Sequence, residues 1–325
     1  MATHDRKACS AYLTLVASPI SNTIAASINK DDKAIVETLR CSHFYMICGR
    51  PKAYFSKVTP LKNGFILIQI ALDSGTLSSG FIHIPKMSFF QNTPNEFDIK
   101  LKCKNNVLCI YLGDDIVFAA TPDDLLVMRG RKESVVVGFN NYLEMMTFDL
   151  LYVGIAKNNQ DSYSRLFERG HKARMDILAA ETQRIPGARV SDETYLLLFR
   201  IEPITITTFS DSSDFDNDDI NFSIDYHRIV ADAEKAVIST FKPKYNKQLY
   251  SKYPSGIDGL YKQGYNGYSY AIAEGMAFNT AYGTIKGARD SKDILVSNDA
   301  DFIFVEGDEV TLNISGVDFN IKSDI

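Results

Sequence analysis

The stretch from Leu150 to Gln248 constrains this chain most, because it carries a strand signal and a helix signal twice in succession. Leu150-Leu-Tyr-Val-Gly-Ile-Ala-Lys-Asn158 is apolar, and its β-branched and aromatic residues suit a half-buried pleated surface. It runs through Gly154, where the missing Cβ lets a neighbour approach the backbone closely. Ser162–Ala180 places Leu166, Ala173, Ile177 and Leu178 at roughly helical spacing. Gly170 is a point of interruption within it, costing about 1 kcal/mol against alanine. Glu193–Ile201 reads as a second buried strand, and Ile224–Thr240 as a second helix stopped by Pro243. Two strands and two helices in this order predict a small α/β unit.

Both flanks read as β structure. In residues 1–132, runs rich in Phe, Tyr, Ile and Val (Phe44–Cys48, Ala53–Val58, Phe65–Ala71, Phe81–Ile84, Phe97–Leu101, Val107–Leu112 and Ile116–Ala119) alternate with turn residues such as Lys62-Asn63-Gly64. This punctuation suits a sandwich or barrel. Asp31–Arg40 predicts a helix. Thr121-Pro122-Asp123-Asp124 is a helix start, with a threonine cap, proline first and acids in the first turn; that helix runs to about Met128. Arg129–Lys132 then reads as a linker. Residues 251–325 begin with the Gly- and Tyr-rich segment 253–283, whose tyrosines could stack on bases but better suit packing. They end in short strands at Ile294–Val296, Phe302–Val305, Glu309–Ile314 and Val317–Ile321.

The expected class is therefore α+β, an α/β core between β-rich regions. Its boundaries fall at 1–132, 133–250 and 251–325, although 325 residues also suit one domain with large insertions. The β-rich N-terminal region fits recognition, regulation or oligomerisation.

The net charge of −5 argues against a general nucleic-acid coat protein, but local charge matters more. Lys157–Arg189 carries Lys157, Arg165, Arg169, Lys172, Arg174, Arg184 and Arg189. Phe241–Lys252 carries Lys242, Lys244, Lys247 and Lys252 with no acid. Between the second strand and second helix, Asp211 to Asp225 form an acidic run that lacks the glycine and glutamate of a calcium loop and reads as a solvated segment gating access. The five cysteines lack C-x-x-C spacing and suit buried, reduced thiols. No stretch is apolar enough to cross a bilayer, and the N-terminus lacks a signal-peptide layout, so a cytoplasmic protein with no membrane partner is expected.

The polar residues of the central unit carry its chemistry. Tyr152-Val153-Gly154 lies on the first strand, and Arg165 and Arg169 share a helix face. Glu234 lies among Ile229, Val230, Ala233, Val237 and Ile238. Pro243-Lys244-Tyr245-Asn246 closes the unit. This set resembles the GIY-YIG nuclease superfamily over about residues 140–250: Tyr152-Val153-Gly154 matches the YIG half, Arg165 the helix arginine, Glu234 the metal-binding glutamate, and Pro243 to Asn246 the Pro-x-Tyr-Asn ending. Gly-Ile-Tyr is absent just upstream. Tyr142 stands ten residues before Tyr152, where a hairpin would place the first tyrosine. A histidine one turn after the arginine is replaced by Arg169, and His171 follows Gly170.

The resemblance implies an endonuclease hydrolysing phosphodiester bonds, with DNA as the substrate and RNA as the alternative, in restriction or antiphage defence. Glu234 would hold one Mg²⁺ or Mn²⁺. Arg165 would bind phosphate oxygens, and Tyr152 or Tyr142 would orient or deprotonate water. Asn246 would orient a neighbour, and His171 is a further catalytic candidate. Lys157, Arg169, Lys172 and Lys244 are the candidate phosphate contacts. A homodimer would suit double-strand cleavage. Two other readings stay open: a catalytically weak module that binds nucleic acid or protein, and a nuclease gated by a small-molecule regulator of its β domain.

Overall fold

Strand outweighs helix in this chain, about 39% against 26%, and most strands join one large curled sheet. The computed structural model describes residues 6–91, 99–157, 160–208, 225–289 and 298–316. In chain order the strands are β1 (Arg6–Leu15), β2 (Ile20–Ser21), β3 (Phe44–Gly49), β4 (Ala53–Pro60), β5 (Phe65–Leu72) and β6 (Leu77–His83). There follow β7 (Ile99–Lys104), β8 (Val107–Leu112), β9 (Asp115–Ala120), β10 (Val136–Gly138), β11 (Thr147–Ile155) and β12 (Thr194–Thr208). The last are β13 (Gly267–Ile272), β14 (Ala277–Thr280), β15 (Gly283–Lys286), β16 (Phe302–Glu306) and β17 (Glu309–Asn313).

The large sheet has the order β15-β14-β11-β3-β12-β1-β13-β16-β17, with β2 beside β12. Its centre, β11-β3-β12-β1, is antiparallel. β3 is buried along its whole length, which explains why its sequence and Tyr195–Phe199 of β12 read as unbroken apolar runs rather than alternating ones. The pleat divides them between two layers. Phe44, Met46, Cys48, Leu197 and Phe199 enter the main core, which the helix Tyr226–Phe241 covers with Ile229, Ala233 and Val237. Ile47, Leu196 and Leu198 face a second core, filled by Leu39, Tyr163 and Ile177.

This pairing crosses the boundaries expected at 132 and 250. β1 and β3 precede the first, β13 to β17 follow the second, and all belong to the sheet that contains β11 and β12. β4 to β10 instead form an insertion between two adjacent strands, β3 and β11. Its two parts are a four-stranded sheet (β10-β6-β5-β4) and a three-stranded one (β7-β8-β9), which share the main core. The alternative of one domain with a large insertion describes the pairing better than three segments in series.

Arg50 ties the insertion to the sheet. It is only 2% exposed, pairs with Asp123 at 2.7 Å, donates to Tyr195 Oη at 3.1 Å and to the Met145 carbonyl at 2.8 Å, and lies over the rings of Phe148 and Tyr195. Asp123 sits on the helix Pro122–Gly130, which begins with the expected threonine cap, here a full capping box of Thr121 and Asp124. Arg129–Lys132 is no linker: Arg129 donates to the Gly138 carbonyl, and Arg131 pairs with Glu274 at 2.6 Å.

The predicted helix 162–180 divides at Gly170, whose φ of +73° is left-handed. A π-helical turn, Ser164–Glu168, precedes it and the helix Lys172–Ala180 follows. β16 and β17 pair as an antiparallel hairpin. Only Cys9 and Cys48 meet the buried expectation, since Cys41 and Cys103 are exposed and Cys109 is half-buried; all five are free. Tyr253 and Tyr270 donate to buried Asp232 at 2.7 and 2.8 Å, the packing role expected for the Tyr-rich segment. The acidic residues Asp211 to Asp219, and the strands expected at 294–296 and 317–321, lie outside the described residues.

Candidate active site

The site begins with the ladder between β3 and β11. A bulge at Leu151 shifts the register, so that Tyr152 pairs with Ile47 and Gly154 with Tyr45. These four residues then share one face. The Tyr45 and Tyr152 rings stack with centroids 6.3 Å apart and planes 24° apart, and His171 stands edge-on to both. Tyr45 is fully buried. Arg165 Nε donates to its hydroxyl at 2.9 Å, and His171 Nε2 lies 2.8 Å from the same oxygen.

The tautomer of His171 follows from its position. It caps the helix Lys172–Ala180, and its Nδ1 accepts from the Arg174 N–H at 3.2 Å. In a neutral imidazole the proton is then on Nε2, which donates to Tyr45. Burial, then Arg165 and Arg174, push His171 down to about 4, so it is neutral near pH 7. With two donors on its oxygen, Tyr45 turns its own proton toward Tyr152, and that bond opposes the rise that burial causes in Tyr152. Burial also raises Tyr45 itself.

Arg165 sits in the π-helical turn. Arg40, on the helix Lys33–Arg40, clamps this turn by donating to Asp161, Ser164 and Glu168 at 2.9, 2.9 and 2.6 Å. π-turns are rare and concentrate at functional sites.

Glu234 comes from the helix Tyr226–Phe241, which Asp225 caps and the left-handed Lys242 ends. It is 8% exposed. Burial raises its carboxyl, against the pull of Lys157, Arg165 and a hydrogen bond from the Ile155 backbone. Tyr250 hydrogen-bonds Glu234 and is pushed up to about 12, chiefly by burial.

Asn246 holds the edge of β11. Its Oδ1 accepts from the Val153 N–H at 2.9 Å, and its Nδ2 donates to the Val153 carbonyl at 2.8 Å, while the Tyr245 N–H donates to Leu151 at the bulge. An amide side chain here does the work of a pairing strand, satisfying both polar groups of one peptide position.

These elements surround a cavity of about 760 Å³, whose lining includes Tyr152, Arg165, Arg169, His171, Glu234 and Asn246. Lys157, Lys172 and Lys247 add positive charge against the carboxylates of Glu234 and Asp176. Such a site favours an anion near a single buried carboxylate. Among the described residues no three His, Cys, Asp or Glu side chains converge on a metal-binding point, and the carboxylates lining the cavity are Glu234 and Asp176.

Two expected site residues lie elsewhere. Tyr142 belongs to the short helix Tyr142–Met145, under the guanidinium of Arg129, and does not line the cavity. The tyrosine that stacks on Tyr152 is instead Tyr45, because β3, the strand beside β11 there, precedes the insertion. Lys244 turns away to Glu181, 2.7 Å distant, and is no phosphate contact in this arrangement. Sequence reasoning also missed Tyr250. The signal for Tyr45 was present as a tyrosine within the apolar run Phe44–Cys48, and the assumption of a short hairpin hid it. No family model, no curated protein and no solved structure matches this chain.

Proposed function

We propose that this chain is a metal-dependent endonuclease of the GIY-YIG type acting on DNA. The observation that carries this reading is the meeting of Tyr152, Arg165, His171 and Glu234 around one electropositive cavity, with the buried Tyr45 hydroxyl bound to Arg165 and His171 behind them. Tyr45 on β3, with Gly154 opposite it, supports the reading as a stand-in for the first tyrosine, although His43-Phe44 precede it in place of Gly-Ile.

Glu234 fits a hard divalent cation such as Mg²⁺ or Mn²⁺, because such ions accept one carboxylate when water and phosphate complete the shell, and a cation would offset the burial that raises this carboxyl. When bound, the ion supplies Lewis-acid stabilisation of the phosphate and leaving oxygen. Arg165 binds the non-bridging oxygens, its Nε fixed by Tyr45 and its remaining donors directed at the developing charge. Tyr152 orients the attacking water, and Arg165 and the bond from Tyr45 favour its base form against burial and Glu234. His171 stays neutral, fixes Tyr45 and adds no competing charge. Lys157, Arg169 and Lys172 hold flanking phosphates in a salt-dependent manner.

Cleavage of supercoiled plasmid with Mg²⁺ tests the reading. Native protein should cut and Glu234→Ala should not. Equal cutting by both, or by neither, removes the proposal.

A further inference from the structure

The active-site cavity does not end at Tyr250. A second cavity of about 700 Å³ adjoins it, and Lys157, Gln248 and Tyr250 line both. The electrostatics also join the two: Lys157 pulls down both Glu234 in the first and Asp258 in the second, and Tyr250 feels both carboxylates. Lys157 and Tyr250 therefore form the threshold between them.

The second cavity is basic and partly apolar. Lys157, Lys235 and Lys252 line it against one acid, Asp258, which Lys235 pairs. Its wall is the loop 249–258, where Ile257 is 92% exposed and Leu249 40%. This loop is braced: Arg228 donates to the carbonyls of Ile257 and Gly259 at 2.7 and 3.2 Å. Fixing the backbone while leaving an isoleucine in solvent suits a ligand with a flat apolar face and an adjacent anion. A nucleotide has both, and bases bind such apolar and aromatic surfaces without sequence preference.

We infer that the second cavity is the subsite for the nucleotide next to the scissile phosphodiester, with its phosphate between Lys157 and Lys252 and its base against Ile257. This rests on the nuclease reading for the identity of the neighbouring site. The chain of the substrate crosses Tyr250 from one cavity to the other, so recognition needs at least two consecutive nucleotides.

The test is binding of 5′-fluorescein-labelled oligothymidylates of one to six nucleotides to Glu234→Gln protein in Mg²⁺, followed by fluorescence anisotropy. Affinity should rise about tenfold in one step when the second or third nucleotide is added, and the step should shrink to about twofold in Lys252→Ala and Ile257→Ala versions of that protein. Both side chains are exposed, and circular dichroism checks that the fold is kept. A smooth rise with length, or a step that both substitutions leave intact, overturns the subsite. Plasmid cleavage separates the two ideas: a chain that does not cut but shows the step loses the nuclease reading and keeps only a nucleotide-binding cavity, and one that cuts without the step keeps the nuclease reading and loses the subsite.

Discussion

Gly154 and Tyr45 face each other across β11 and β3, and a Cβ on Gly154 would lie 2.6 Å from the Tyr45 hydroxyl and 2.9 Å from the Tyr152 ring. Gly154 is thus the space into which the Tyr45 hydroxyl lies. Gly154→Ala should displace Tyr45 from Arg165 and His171. Overpacking of this kind costs about 1–3 kcal/mol. Urea unfolding should report that loss, and plasmid cleavage should fall further than stability alone explains. A variant with full activity would separate the close approach from function.

Replacing Tyr45 by Phe keeps the ring and removes the oxygen that Arg165 and His171 share. Cleavage should fall by about 10²–10³, the usual scale for losing a group that positions acid–base or electrostatic chemistry. Tyr142→Phe should stay within about twofold of native, as expected for a change away from the site. Reversal of that order in a plasmid nicking assay would restore Tyr142 and remove Tyr45.

His171 gives stability a pH dependence of known sign. Its folded pKa is about 4, below the ordinary value of 6.5, so the unfolded chain binds the proton more readily between those values. Stability should be complete above about pH 6.5 and fall as pH drops toward 4, by about 3 kcal/mol from this group. His171→Asn keeps a good helix cap and cannot titrate. Urea midpoints at pH 7 and pH 5 should differ less in this variant than in the native chain, and an unchanged difference would assign the slope to other groups.

Asn246 pairs with both polar groups of Val153. Asn246→Asp replaces a donor with an acceptor facing a carbonyl. It should destabilise by about 1–3 kcal/mol, the usual cost of leaving a buried polar group unmatched. Thermal unfolding at pH 7 measures it, and the loss should recede when acid protonates the new carboxyl.

Arg50 predicts the behaviour of the insertion. Its ion pair with Asp123 is buried just past the end of β3, where the chain leads into β4–β10. Removing one partner strands the other charge, a change costing about 3–5 kcal/mol. Arg50→Ala should unfold at markedly lower urea. Arg50→Ala with Asp123→Ala should recover part of the loss, and an additive pair would show that the two do not interact.

Local elements were legible because their causes are local. Asp225 and Pro243 bracket a helix found at Tyr226–Phe241, Thr121 and Asp124 form their capping box, and Gly170 breaks the first helix where its left-handed φ is needed. The runs Val107–Leu112 and Tyr195–Phe199 announced strands through composition alone. Tyr152, Arg165, His171 and Glu234, all named from the sequence, line one cavity.

What sequence could not supply was which strand lies beside β11. Strand pairing is non-local, and loop-closure entropy grows only with the logarithm of loop length, so β3 can reach β11 across the whole insertion at little extra cost. That choice made Tyr45 rather than Tyr142 the partner of Tyr152. It turned Gly154 into the cradle of a buried tyrosine, and folding sent Lys244 to Glu181. The sequence by itself determined the elements and most of the reactive side chains. Tertiary structure decided their neighbours, because a side chain's environment depends on residues that only long-range pairing and packing bring to it.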